Sequence, residues 1–205
     1  MPIDNLSEAS LIKNINLCPL KNLKEITNYL INNIEIKNNK TVNHRKDEDF
    51  DYPDFSNIRG HFQAKRALEI AVAGGHNVLM SGPPGSGKTI LAKSIISIMP
   101  KLSEEEIIEV TEIYSIAGKL NKNNVIFHRP FRSPHHTASP SSIVGGGSWP
   151  KPGEISLAHR GVLFLDEFPE FSRFVLENLR QPMEDGFINV SRAAGTVSFP
   201  ARFML

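Results

Sequence analysis

A glycine-rich stretch, Ser-Gly-Pro-Pro-Gly-Ser-Gly-Lys-Thr at residues 81–89, constrains this chain more than any other part of its sequence. It matches the phosphate-binding pattern G-x-x-x-x-G-K-[ST] at every specified position. Its glycines permit turns in which successive backbone N–H groups point inward at phosphate oxygens. We expect Lys88 to neutralise phosphate charge in binding and catalysis, and the Thr89 hydroxyl to bind Mg²⁺. The predicted nucleotide-binding residues are Gly82, Pro83, Pro84, Gly85, Ser86, Gly87, Lys88 and Thr89.

The segments on either side of this loop favour a nucleoside triphosphate site over a chance glycine-rich turn. The apolar run at 77–80 predicts a buried parallel strand, and apolar residues at helical spacing over 90–98 predict a helix that Pro100 ends. A helix N-terminus at this point would add about half a positive charge where the phosphates bind. The pattern therefore predicts an α/β domain that binds ATP with Mg²⁺.

An acidic pair, Asp166 and Glu167, follows a second apolar run at 162–165. Four consecutive apolar residues predict a central strand buried on both faces, and ligands bind at the C-terminal ends of such strands. We expect Asp166 to hold Mg²⁺ through water, and Glu167 to polarise the water that attacks the γ-phosphate. The sequence thus supplies a metal pair, Thr89 and Asp166, and a catalytic pair, Glu167 and Lys88.

Length and composition limit the classes of protein to consider. The 205 residues allow one domain with an appendage. Because 23 Lys and Arg face 22 Asp and Glu, the net charge of +1 gives no global argument for a nucleic-acid or membrane partner. Cys18 has no second cysteine to pair with, which fits a reducing compartment. With no secretory signal and no apolar stretch of about 18 residues, we expect a soluble, cytoplasmic protein.

The first 53 residues divide into two parts. Residues 1–36 contain a predicted helix at 19–31 with an apolar stripe, in a segment too short to fold alone. The stripe could pack on the following domain, meet a partner or belong to a larger domain, and the last of these is favoured. Residues 37–53 are charged and poor in large apolar groups, so they predict a flexible linker.

The rest of the chain shows further local patterns. They predict an amphipathic helix over 64–72 closed by two glycines, a helix over 103–116 with a capping box, a helix from 174 interrupted at Pro182, a β-hairpin over 187–199, and a buried strand that begins at 203. The turn at 58–60 either lies near a bound base or is purely structural.

Residues 128–153 combine basic, aromatic and glycine-rich stretches and predict a long loop region. Such a mixture suits contact with nucleic acid, but a structural or subunit-contact role is also open. The adjacent His135 and His136 do not predict a metal site, because no third ligand lies at supporting spacing.

Taken together, these stretches resemble the magnesium-chelatase-like AAA+ ATPases of the YifB/ComM type. The resemblance covers about 55–205 and rests on the stretches at 60–71, 81–89, 129–136, 144–147 and 152–167. It implies a three-layer αβα P-loop NTPase with a parallel central sheet and two β-hairpin insertions, around 145–154 and 187–199. It also implies a homo-oligomeric ring, a hexamer in the full-length family, with ATP near subunit boundaries. For ComM-type proteins the implied activity is ATP-driven helicase or branch-migration work on DNA.

The resemblance also implies a division of the chain into domains. Residues 1–36 resemble the end of the Lon-protease-like domain that precedes the ATPase module. Residues 54–205 are expected to form a partial AAA+ domain, incomplete at its C-terminus and lacking the sensor strand and helical lid. His61 departs from the Gln that the family often has at this position.

Two alternatives to a DNA-remodelling ATPase therefore remain. One is a nucleotide-binding remnant without turnover, and the other is a chelatase-type subunit that drives metal insertion. The sequence assigns no arginine finger, and Arg132 and Arg160 are only candidates.

Overall fold

The computed structural model describes residues 1–10, 12, 15–32, 52–120, 125–147, 149–192 and 195–205. The predicted linker at 37–53 lies outside these residues except for its last two. The helices are α1 (Leu6–Ala9), α2 (Leu23–Asn32), α3 (Phe62–Gly74), α4 (Lys88–Ile98), α5 (Glu104–Ile116), α6 (Pro140–Val144), α7 (Glu154–Leu157), α8 (Arg173–Asn178) and α9 (Arg180–Asp185). Single 3-10 turns cover Ile3–Asn5, Phe55–Asn57 and Phe168–Glu170. The strands are β1 (Phe131–Arg132), β2 (Gly145–Gly146), β3 (Lys151–Pro152), β4 (Val162–Leu163), β5 (Phe187–Arg192) and β6 (Gly195–Pro200).

The central sheet is built around β4. On one side β4 pairs in parallel with β1, and on the other Met204 forms a parallel bridge to Val162. The Leu205 carbonyl then accepts a hydrogen bond from the Val78 N–H at 2.9 Å. The order across the sheet is therefore β1, β4, 203–205 and 77–80. This confirms the predicted central strand and the buried strand that begins at 203.

Helices and a hairpin cover the two faces of this sheet. Because alternate residues of a strand face opposite sides, Val162 and Leu163 enter different cores. Val162 packs with Phe131 and Met204 against α3 and α4. Leu163 packs against α6, α7, α8 and the β5–β6 hairpin. The structure therefore has the predicted three-layer arrangement around a parallel sheet.

The segment before the phosphate-binding loop is less buried than predicted. Val78 and Met80 pack against the core that contains α3 and α4, but Leu79 between them is 85% exposed. The segment is extended and contacts Leu205 on one edge, so its alternate residues face away from the covered side. The prediction of a buried strand therefore holds for Val78 and Met80 but not for Leu79.

The helices confirm most of the predicted boundaries. Gly75, in the left-handed conformation, ends α3, and Ser103 and Glu106 form the capping box of α5. Pro182, however, does not interrupt a helix. Helix α8 ends at Asn178, and α9 begins after Leu179. Pro182 lies in the first turn of α9, where its missing N–H has no intrahelical partner to lose.

Residues 128–153 are more ordered than a long loop. They contain β1, α6 and the β2–β3 hairpin, elements too short to leave a periodic pattern in the sequence. Gly145 allows the hairpin to close, because a Cβ there would lie 2.6 Å from the Lys151 carbonyl oxygen and 3.0 Å from Val190 on β5. Both hairpins implied by the family resemblance are present, and β2 of one contacts β5 of the other.

In the N-terminal segment, the first residues contact residues 18–20. The amino group donates to the Cys18 carbonyl at 3.0 Å, and Pro2 bridges to Leu20. On α2, Leu23, Leu30 and Ile31 are exposed by 74%, 70% and 79%. In the part of the chain that is described, no helix has both the length and the apolar character that crossing a membrane requires.

Candidate nucleotide-binding site

The glycine-rich loop leads directly into the N-terminus of α4. Gly85 and Gly87 have φ angles of 75° and 79°, a region that glycine adopts without steric cost, and Gly87 caps α4. A Cβ on Gly82 would lie 3.2 Å from Ser86 Oγ, so a larger residue would crowd the inside of the loop. The loop therefore leads the chain into a helix N-terminus, a position that favours an anion.

The Lys88 side chain lies over the loop that precedes it. Its Nζ donates hydrogen bonds to the carbonyl oxygens of Gly82 at 2.8 Å and Pro83 at 2.9 Å. An ammonium group has three donors, and the carbonyls hold it within the glycine-rich loop. The charge of Lys88 therefore lies against the carbonyl side of residues 82–83.

The acidic end of β4 lies against the start of α4. Thr89 Oγ1 and Asp166 Oδ2 are 3.3 Å apart, although 77 positions separate the two residues. The other oxygen of Asp166 accepts a hydrogen bond from the Glu167 N–H at 3.1 Å. A hydroxyl and a carboxylate are the oxygen ligands that Mg²⁺ takes in proteins, together with water and phosphate. The residues at this position therefore fit a magnesium ion.

Glu167 follows in an uncommon backbone conformation. Its φ of 53° lies in the left-handed region, and the residue caps the 3-10 turn Phe168–Glu170. The Glu167 side chain is 65% exposed, and its Oε2 lies 3.2 Å from His136 Nδ1. His136 comes from the segment that follows β1, and β1 and β4 are parallel neighbours whose ends meet at one edge.

His61 lies close to the phosphate-binding loop. It caps the N-terminus of α3 with a φ of 53°, and its Nε2 lies 3.5 Å from the position that a Cβ of Gly87 would take. The turn at 58–60 therefore lies beside the phosphate-binding loop, as the first of its two interpretations requires.

The arginines of residues 128–153, Arg129 and Arg132, form ion pairs with glutamates. Arg132 donates to both carboxylate oxygens of Glu154 at 2.5 and 2.8 Å, and Lys119 donates to Glu154 at 3.0 Å. Burial alone would raise the pKa of Glu154, but Arg132 and Lys119 hold the pKa below its usual value. Arg129 donates to Glu106 at 3.2 Å and to the carbonyls of Pro100 and Arg160. Of the roles left open for this segment, the structural one applies to its arginines.

The second finger candidate, Arg160, is also paired within the chain. Its guanidinium contacts Glu109 at 2.8 Å and Glu106 at 3.4 Å. The hydrogen bond to Arg160 lowers the pKa of Glu109. Arg132 and Arg160 therefore form ion pairs inside this chain.

His159 joins the same network from a buried position. The residue is 2% exposed, its Nδ1 accepts a hydrogen bond from the Arg202 N–H at 3.0 Å, and its Nε2 lies 3.1 Å from Glu109. Burial lowers the pKa of His159. Since Nδ1 is an acceptor, the ring is neutral and carries its hydrogen on Nε2.

The structure brings together some predicted residues and reveals others. Lys88, Thr89 and Asp166 share one edge of the sheet, with Glu167 beside them, while His135 and His136 belong to no grouping of three or more potential metal ligands within the described ranges. The sequence did not identify the contact between His136 and Glu167. The signal for it is the pairing of β1 with β4, which a two-residue strand does not reveal.

Comparison with known proteins agrees with this geometry. A sequence model of the family described as magnesium chelatase, subunit ChlI, matches residues 54–205. Protein YifB of Escherichia coli is 53% identical over 152 residues, which cover 74% of this chain and 30% of that protein. Competence protein ComM of Haemophilus influenzae is 46% identical over 211 residues, covering 98% of this chain and 40% of that protein. The chain spans less than half the length of these relatives.

A solved structure supports the fold. The complex between subunits BchI and BchD of magnesium chelatase contains a chain with a TM-score of 0.53 and 24% identity, covering 69% of this chain and 49% of that one. At this identity the likeness concerns the fold, which is that of an AAA+ module. The chain belongs to the magnesium chelatase ChlI family, in which it is YifB/ComM-like.

Proposed function

We propose that this chain is the ATP-binding module of a YifB/ComM-like AAA+ protein that hydrolyses ATP with Mg²⁺. The observation that carries the proposal is the 3.3 Å contact between Thr89 Oγ1 and Asp166 Oδ2. It joins the phosphate-binding loop to the acidic end of β4, the two parts that a P-loop ATPase needs on either side of one triphosphate.

Each residue has a distinct task in this proposal. The backbone N–H groups of Gly82, Gly85, Ser86 and Gly87 bind phosphate oxygens, and Lys88 neutralises charge on the β- and γ-phosphates. Thr89 and Asp166 would hold Mg²⁺, which when bound neutralises the charge that develops on the phosphates. The carboxylate of Glu167 accepts a proton from the attacking water and orients that water. Catalysis is then positioning and electrostatic stabilisation with no covalent step on the protein.

Removal of the Lys88 charge tests the binding half of the proposal. We expect Lys88→Ala to weaken ATP binding at least about 30-fold, equivalent to about 2 kcal/mol, because a charged contact to phosphate is lost. Binding of a fluorescent ATP analogue would measure this. Lys93→Ala is the matched control, since Lys93 is an exposed lysine of the same helix. Equal affinities of the two variants would contradict the proposal.

We further propose that ATP hydrolysis is coupled to remodelling of DNA by a homo-oligomeric ring of the complete protein in the cytoplasm. Two observations support DNA as the partner. One relative is a competence protein, and the β2–β3 hairpin exposes Trp149 by 73% beside the exposed Lys151. Exposed aromatic and basic side chains suit stacking on bases and contact with phosphates. Residues 1–36 would then be the end of a preceding Lon-protease-like domain.

The DNA proposal is tested by the ATPase rate with and without single-stranded and branched DNA. We expect stimulation by DNA, and a smaller stimulation in Trp149→Ala with an unchanged rate in the absence of DNA. A rate that DNA leaves unchanged would favour the metal-insertion alternative. No turnover at all would favour a nucleotide-binding remnant.

A further inference from the structure

We propose that Glu154 is a positioning residue that fixes the β2–β3 hairpin to the end of β1, so that DNA bound by the hairpin acts on the ATP site. The inference rests on the proposed function, because there the hairpin is the part that contacts DNA. It begins from the place of Glu154 in the chain, which is two residues after the end of β3 and at the first position of α7. Glu154 has no part in the ATP chemistry proposed above.

Three hydrogen bonds from two other parts of the chain hold the Glu154 carboxylate. Arg132, the last residue of β1, donates to both carboxylate oxygens at 2.5 and 2.8 Å, and Lys119, which follows α5, donates to one of them at 3.0 Å. Two parallel hydrogen bonds from one guanidinium fix the orientation of the pair as well as its distance. The Glu154 side chain is 11% exposed, so salt screens this pair less than a surface pair.

The base of the hairpin is closed next to this carboxylate. A Cβ on Gly153 would overlap the Gly145 nitrogen and the Ile143 carbonyl oxygen, so the two ends of the hairpin are in direct contact. Gly153 alone separates β3 from Glu154. Trp149, between the two strands, is 73% exposed. The hydrogen bonds of Glu154 therefore hold the base of the hairpin and leave its outer part open to a partner.

The strand to which Glu154 is tied ends at the ATP site. β1 and β4 are parallel, with Arg132 beside Leu163, so both strands end at the same edge of the sheet. Asp166 follows β4 at that edge and lies 3.3 Å from Thr89 Oγ1. Energetic coupling between two sites is carried by rigid elements and by networks of ion pairs. A hairpin without the Glu154 contacts would bind DNA with less effect on the ATP site.

The first test measures the mobility of the hairpin without DNA or ATP. The chain has one tryptophan, so the decay of its fluorescence anisotropy reports the residue between β2 and β3. We expect Glu154→Gln to increase the amplitude of the fast component about twofold, because the charged partner of Arg132 is lost. Glu154→Asp retains the charge but is one methylene shorter, and it should change the decay in the same direction.

The matched control separates positioning from a general loss of stability. Leu68 is 1% exposed and packs with α3 and α4 on the other face of the sheet, so Leu68→Ala weakens the fold at a distance from the hairpin. We expect its anisotropy decay to match that of the parent. An equal increase in Leu68→Ala would overturn the inference, and so would a parental decay in both Glu154 variants. If Glu154→Gln does not fold, Glu154→Asp decides.

The second test compares ATP hydrolysis with and without branched DNA. We expect the Glu154 variants to keep a basal rate within about twofold of the parent and to lose about 2- to 30-fold of the stimulation by DNA, the range expected for a residue between coupled sites. If DNA stimulates the parent and both variants equally, the inference fails and the proposed function stands. If DNA leaves the parental rate unchanged, the proposed coupling to DNA fails first and the inference falls with it.

Discussion

The carboxylates of Glu154 and Glu167 lie in two regions of the molecule with opposite environments, one buried among cations and one exposed. The Glu154 side chain is 11% exposed and accepts hydrogen bonds from Arg132 and Lys119. The Glu167 side chain is 65% exposed and has the single contact to His136 in the part of the chain that the structure describes. Glu154 has its oxygens occupied by cations and serves the fold. Glu167 keeps acceptor capacity open next to Asp166, which suits the role of base that we propose for it.

The largest effect that separates these two carboxylates is expected on turnover. Glu167→Gln keeps the shape of the side chain but removes its basicity, so we expect ATP hydrolysis to fall about 10²–10⁴-fold with ATP affinity unchanged. Steady-state hydrolysis and equilibrium binding of ATP measure the two quantities. Hydrolysis at the parental rate would show that Glu167 is not the base. The unfolding free energy should stay close to that of the parent, because an exposed side chain is replaced.

The reverse pattern is expected for Glu154→Gln. This change leaves Arg132 partly buried without its carboxylate, and we expect the free energy of unfolding to fall by about 3 kcal/mol. Urea denaturation followed by circular dichroism measures it. Glu177→Gln is the matched control, because Glu177 forms an exposed i,i+4 pair with Arg173 whose loss should cost less than about 1 kcal/mol. Equal losses in the two variants would remove the structural distinction between Glu154 and surface carboxylates.

The features that the sequence could predict are those built from contiguous residues. The loop at 81–89 and the acidic pair after 162–165 follow local rules, because a phosphate cradle and a strand end are built from contiguous residues. The capping box at Ser103 is local for the same reason. These features were therefore predictable, and so was the sheet to which the loop belongs.

Contacts between distant segments were not predictable in this way. Arg132 and Glu154 are 22 positions apart, and His136 and Glu167 meet only because β1 lies beside β4. A strand of two residues has no periodicity to detect, so the sequence predicts residues 128–153 as a long loop region with a nucleic-acid, structural or subunit-contact role. Ion pairing with acidic residues on α5 and α7 decided the role of its arginines, and the sequence alone does not contain that pairing.

The smallest expected effect is the change in stability with pH that buried His159 should cause. His159 is neutral in the fold, with a pKa held by burial below its ordinary 6.5, beside Glu109 and Arg160. As pH falls below about 6.5, the His159 imidazole takes up a proton in the unfolded chain but stays neutral in the folded chain. The free energy of unfolding should therefore decline between pH 7 and 5. Glu109 has a lowered pKa and loses its own contribution only at more acid pH.

Thermal unfolding at several pH values separates these two groups. His159→Gln retains a donor toward Glu109 but does not titrate, so its stability should change less between pH 7 and 5 than that of the parent. The same slope in both proteins would mean that His159 keeps an ordinary affinity for protons despite its burial. The absolute stability of the variant does not enter this comparison, because only the dependence on pH reports the proton. If the stability of the parent depends on pH and that of the variant does not, then the fold controls the charge state of His159. Glu154 is controlled by the fold in the same way.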